Sequence, residues 1–113
     1  MVEECVFCKI VNKQLPSRVV DEDEEFMAFH DINPKAPIHV LVVPRRHIES
    51  VYSLKTQDEI LAGRLILKAA AVAKKLGIDE AYQLTVDVGE TARPSVWHLH
   101  GHVLGGWDTP QVE

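Results

Sequence analysis

Short apolar segments and polar turns succeed one another along this chain, some of the segments with a period of two, and one long stretch has an apolar period close to 3.6. "CVFCKIVNKQL", Cys5 to Leu15, reads as a short helix that stops before Pro16. "RVV", Arg18 to Val20, is a brief strand, and the acidic run from Asp21 to Glu25 reads as a solvated hairpin tip leading into "FMAFHDI". "NPKAP", Asn33 to Pro37, is a loop, and "IHVLVVP", Ile38 to Pro44, is apolar and β-branched enough for a buried strand. The helical period runs from Thr56 to Leu76. Thr56 with Glu59 gives a capping-box signal, Leu61, Leu65, Ala69, Val72 and Leu76 form one apolar face, and Gly77 supplies the stop. "AYQLTVDV", Ala81 to Val88, alternates as a strand with one buried face. After the polar loop "GETARPS", a last strand begins at Trp97. Short neighbouring strands around one long helix predict an α+β domain with a mainly antiparallel sheet, spanning residues 1–113.

Composition narrows the class. With 113 residues, 46% hydrophobic and 26% charged, the chain has the make-up of a soluble globular domain, and no apolar run approaches the roughly 20 residues that span a bilayer. The N-terminal stretch carries Glu3 and Glu4 and lacks the basic start of a secretory or transit signal, so a cytoplasmic location and no membrane partner are expected. The net charge of -5, with "PRRH" as the one short basic cluster, argues against a nucleic-acid polymer as partner. The two cysteines, Cys5 and Cys8, are too few for a disulfide scaffold. They are either free thiols or, pointing the same way from one helical turn, half of a metal site.

The candidate chemistry lies in the last strand. In "WHLHGHVLGG", His98, His100 and His102 occupy alternate positions and should form one row, with Trp97, Leu99, Gly101 and Val103 facing the core. Three imidazoles in register are unfavourable unless they share a proton acceptor, a metal or an anion. Such a row suits metal coordination, or attack on phosphorus by one imidazole while its neighbours meet the phosphate oxygens.

"HLHGHVL" resembles the histidine-triad signature, and the similarity extends through "FCKIVNKQLPS", "FMAFHDINPKAPIHVLVVPRRHI" and "SVWHLHGHVLGG". The chain looks like the nucleotide-binding Hint branch of that family. The resemblance implies a five-stranded antiparallel sheet with one long and one short helix, joined across a homodimer into ten strands. It also implies a site for purine nucleoside monophosphates and their phosphoramidates, cleaved through a nucleotidyl-histidine. By position, His100 is the nucleophile, His102 and His39 orient the phosphate and support it, and Ser95 bonds the phosphate or leaving group. Asp31 matches the carboxylate on the ribose hydroxyls, with Phe29, His30 and Ile32 around the base. Bacterial relatives with the same CxxC start bind zinc through two further histidines, which correspond to His47 and His98.

Each residue taken singly has a plainer reading. His39 can be a histidine at a strand edge, Asp31 a turn former, and Phe29 and Ile32 core. The chain also departs from the family pattern. Asp87, near the phosphate in relatives, stands where Asn is usual, and its carboxylate would repel a phosphate dianion unless paired, for instance with Arg93. Pro94 removes a loop N–H donor, and Gly101 replaces an apolar residue, leaving space that Trp97 would help to fill. Retained but slow hydrolysis is expected. The neighbouring reading is a dinucleoside polyphosphate hydrolase of the Fhit branch, which typically follows the triad with Pro-Arg where this chain has "LGG". A nucleotide-binding module with weak or lost catalysis is a further alternative.

Overall fold

Five strands pair antiparallel throughout in the order β1-β2-β3-β5-β4: β1 (Val19–Glu22), β2 (Phe26–His30), β3 (Ile38–Pro44), β4 (Tyr82–Thr85) and β5 (Gly101–Gly105). A six-residue helix α1 (Val6–Val11) precedes them, and α2 (Glu59–Lys75) lies between β3 and β4. The structure is a computed structural model describing residues 5–88 and 98–107.

The two helices cover opposite faces of the sheet. Phe26, Ala28, Val40, Val42 and Val103 pack with Leu61, Leu65, Ala69 and Val72 of α2. Their alternating neighbours Met27, Phe29, Leu41 and Val43 pack with Phe7, Cys8, Ile10 and Val11 of α1. Because both faces are covered, β3 has no polar alternation, which is why "IHVLVVP" is apolar apart from His39. His39 shares the α1 face with Leu41 and Val43. His39, and His102 which alternates with Val103, therefore lie under the short helix, on the face away from α2.

Several elements differ in detail from the sequence reading. The long helix begins as a 3-10 turn, Thr56–Asp58, and its capping carboxylate is Asp58: Lys55 N–H donates to Asp58 Oδ2 at 3.0 Å, and Arg46 also pairs with Asp58. Gly77, at φ +78°, does end the helix. The helix predicted to reach Leu15 stops at Val11, where Lys13 turns the chain with φ +64°. The acidic run is more than a solvated tip. Asp21 and Glu22 lie in β1, and Asp21 and Asp23 accept from Lys68 of α2 at 2.8 and 3.0 Å, tying the hairpin to the helix. The Lys68 hydrogen bond holds the Asp21 carboxyl below the usual range, and the Phe26 and Glu25 amides, with Lys68 behind them, do the same for Asp23 against the opposing effect of burial.

The final strand begins at Gly101 rather than Trp97, so His98, Leu99 and His100 precede the ladder, anchored where Leu99 N–H donates to the Ile48 carbonyl at 2.6 Å. β4 is likewise shorter than Ala81–Val88. The space beside Gly101 is filled from across the ladder: a Cβ there would lie 3.3 Å from Leu84 Cδ1. Leu84 thus borders that space from β4; the expectation for Trp97 falls, like Arg93, Pro94 and Ser95, outside the described residues.

Candidate active site and metal centre

Two clusters occupy the α1 face. In the first, α1 brings Cys5 and Cys8 against His47, which follows β3, and His98, which precedes β5. Cys5 Sγ is 3.3 Å from His98 Nδ1, while Cys8 Sγ is 3.2 Å from His47 Nδ1 and 3.5 Å from His98 Nδ1. All four ligand atoms lie within 4.8 Å of one another, close enough to hold a metal ion. A tetrahedral centre with sulfur at about 2.3 Å and nitrogen at about 2.05 Å has sulfur–nitrogen edges of about 3.6 Å, close to those found.

The rest of the environment fits that use. His98 donates Nε2–H to the Pro44 carbonyl at 2.8 Å, so its neutral ring turns a lone pair on Nδ1 toward the thiols. Burial pushes the His98 pKa down to about 4, keeping the ring in its ligating form. Burial and neighbouring Cys5 push the Cys8 thiol up to about 11, so forming a thiolate there calls for a compensating cation.

The second cluster lines a cleft of about 200 Å³ between α1 and the end of β2. His100 donates Nδ1–H to the carbonyl of His98 at 2.6 Å, leaving Nε2 with its lone pair. His39 and His102 are connected differently. The backbone N–H of Lys35 donates to His39 Nδ1 at 3.1 Å, so a neutral His39 carries its proton on Nε2, which donates to His102 Nδ1 at 2.9 Å. His102 must then carry its own proton on Nε2, a buried atom without a hydrogen-bond partner among the described residues. Burial lowers the pKa of His39 and takes that of His102 to about 4, with His100 and His39 adding to the effect on His102. One ring in the cleft thus offers a lone pair on Nε2, and its neighbour offers a proton on the same atom.

The cleft also brings together Phe29, His30, Asp31 and Ile32 beside Leu41 and Phe7. Phe29 is buried and His30 half-buried, whereas Ile32 is 90% exposed. Asp31 has a double part. Its Oδ1 accepts from Asn33 N–H at 2.8 Å, as a turn former's would, and its Oδ2 lies 3.4 Å from His39 Nε2. Asp87 follows β4 and approaches His102, with Oδ2 3.6 Å from Nε2.

Phe7, Lys35 and Pro44 were not singled out from the sequence. Phe7 stands edge-on to Phe29, His98 and His100 at ring-centre distances of 5.5, 6.0 and 5.0 Å, joining the two clusters. Its place between the cysteines on α1 was the available signal. Lys35 and Pro44 act through backbone groups that side-chain identity does not reveal.

A family model described as "Scavenger mRNA decapping enzyme C-term binding" matches residues 4–111. An uncharacterized HIT-like protein of Synechocystis is 40% identical over 106 residues, covering 94% of this chain and 93% of that protein. The chain belongs to the histidine-triad (HIT) family. HIT relatives include protein HitA of Neisseria gonorrhoeae, 36% identical over 92% of this chain and 97% of its own length. The solved structure of a HIT family hydrolase from Clostridium thermocellum is 40% identical, covers both chains fully and superposes with a TM-score of 0.91. That agreement extends to the five-stranded sheet and its main helix.

Proposed function

We propose that this HIT protein is a Hint-like hydrolase of purine nucleoside phosphoramidates, acting through a nucleotidyl-histidine intermediate on His100. The observation that carries this reading is the pair of opposite tautomers in one cleft, His100 with a free Nε2 lone pair and His102 with an unpartnered Nε2–H. In the first step the His100 lone pair forms a bond to phosphorus as the phosphorus–nitrogen bond breaks. The amine departs with that bonding pair and takes a proton from water. In the second step a water oxygen bonds to phosphorus, the histidine–phosphorus bond breaks with its electron pair returning to Nε2, and the water's proton is released. Throughout, His102 Nε2–H is a donor for a phosphoryl oxygen gaining charge, and His39 holds that tautomer.

Asp31 Oδ2 is the acceptor for the ribose hydroxyls, and Phe29, His30 and Ile32 border the base. Ser95 assists the phosphate or leaving group, by the family resemblance. Leu104, Gly105 and Gly106 after the triad favour this branch over the Fhit-type polyphosphate hydrolases.

The Cys5, Cys8, His47 and His98 cluster is read as a zinc site. Four protein ligands leave no open coordination position, so its part is structural, fastening α1 to the segment that carries His100. Its free thiols suit a reducing compartment. The protein is also read as a homodimer. β4 is one of the two outer strands of the sheet, and Ile60 and Leu67 stand exposed along one side of α2, as expected of surfaces that a second copy covers.

The deciding experiment follows release of a fluorogenic amine from an adenosine phosphoramidate. Turnover should fall more than about a thousandfold in His100→Ala. Equal background release by the native protein and the variant overturns the reading.

A further inference from the structure

Two carboxylates bracket the His39–His102 pair, Asp31 beside His39 at 3.4 Å and Asp87 beside His102 at 3.6 Å. Only the second stands at the free end of the hydrogen-bond chain. That chain starts at the Lys35 amide, passes through His39, and ends at His102 Nε2–H, which no described group accepts. The Asp87 oxygen is too distant for a good hydrogen bond to this N–H but well within Coulombic range. Among the described residues, Asp87 has no cationic side chain at ion-pair distance, and the ring it faces is kept neutral by burial. The phosphoryl side of the cleft therefore combines one neutral donor with one nearby negative charge. An oxygen accepting from His102 Nε2–H at about 2.9 Å would sit only a few ångströms from the Asp87 carboxylate.

We propose that Asp87 is a charge filter: it makes the cleft select phosphoryl groups bearing one negative charge, phosphoramidate or phosphodiester monoanions, over the dianion of a nucleoside monophosphate. The proposal rests on the nucleotide reading of the cleft and specifies which phosphoryl groups that cleft holds. One consequence is directional. The substrate enters as a monoanion, and hydrolysis of the histidine adduct leaves a monophosphate that becomes a dianion at neutral pH, so the product is the form that Asp87 repels. Asp87 is partly exposed, which places the effective dielectric between the surface and bulk-water values. A second charge at about 5 Å is then disfavoured by about tenfold in binding.

The test uses two ligands alike except in charge. At pH 8, adenosine 5'-monophosphate is a dianion, and its methyl ester is a permanent monoanion. Dissociation constants for both are measured by calorimetry with the full chain and with Asp87→Asn, a side chain of nearly the same shape at an exposed position that folding tolerates. The native protein should prefer the ester by about tenfold more than the variant does, with the gap closing because the monophosphate binds more tightly to the variant. The same ester-to-monophosphate ratio in both proteins overturns the charge filter and leaves the nucleotide reading standing. Failure of the native protein to bind either ligand overturns the nucleotide reading, and the filter with it.

Discussion

His98 and His100 are two residues apart, and they offer opposite ring nitrogens. His98 gives Nε2–H to the Pro44 carbonyl and presents Nδ1 to two thiols, whereas His100 gives Nδ1–H to the His98 carbonyl and keeps a lone pair on Nε2. The first arrangement suits a closed metal centre, the second a nucleophile. The residue type is identical in both, and the backbone carbonyl engaging the other nitrogen separates them. His39 and His102 extend the rule, since a single amide at Lys35 dictates both of their tautomers.

If one cluster fixes the fold and the other does the chemistry, damage to each should read out differently. The largest expected effect is on the metal side. Cys5→Ser with Cys8→Ser should abolish stoichiometric zinc in metal analysis and remove at least about 3 kcal/mol of stability, lowering Tm by more than about 10 °C. Unchanged Tm in protein shown to be zinc-loaded beforehand would mean that the cluster does not hold the fold together.

Phe7 belongs to both clusters, so its truncation should injure both. Phe7→Ala is expected to cost about 3 kcal/mol in urea unfolding and also to lower turnover, because the ring that braces His100 is gone. Loss of stability without loss of turnover would confine Phe7 to the structural side.

Acid should act on the second cluster through His102. Its folded pKa, about 4, lies below the ordinary 6.5, so the unfolded chain takes up a proton first as pH falls. The stability present above pH 6.5 is therefore lost progressively down to about pH 4, by up to about 3 kcal/mol for this group. Comparing urea midpoints of native protein and His102→Gln across that range isolates its contribution from that of the metal ligands. Parallel curves for the two would contradict a depressed His102.

The glycines of β5 give the smallest effect and a useful internal contrast. At Gly101 an added Cβ meets only the movable Leu84 Cδ1 at 3.3 Å, so Gly101→Ala should change stability by less than about 1 kcal/mol. At Gly105 it would lie 2.8 Å from Ile78 Cδ1 and 3.3 Å from the Ala81 carbonyl oxygen, and Gly105→Ala should cost about 2 kcal/mol. Thermal melts of the two variants test that order.

Much of the fold was legible because periodicity reports burial directly. "IHVLVVP" runs apolar because helices cover both faces of β3, and Leu61, Leu65, Ala69 and Val72 mark the face that α2 buries. The start of α2 was misread by a short distance, since Thr56 with Glu59 and Lys55 with Asp58 are both plausible caps and only the local chain path distinguishes them. The acidic run looked merely solvated because Lys68, its counter-charge, is 47 residues away along the chain from Asp21. Gly101 suggested an empty place because the side chain that fills it comes from β4.

By itself, the sequence determined which side chains this HIT protein has for its work and, through alternation, that His98, His100 and His102 would form one row. Only the tertiary structure decided which nitrogen each imidazole presents, and it brought Cys5 and Cys8 to His47 and His98 across 39 to 93 residues of chain. The physical reason is that a tautomer is selected by the partner of the second ring nitrogen. Here those partners are the Lys35 amide and the Pro44 and His98 carbonyls, backbone groups whose positions follow from the folded path of the chain.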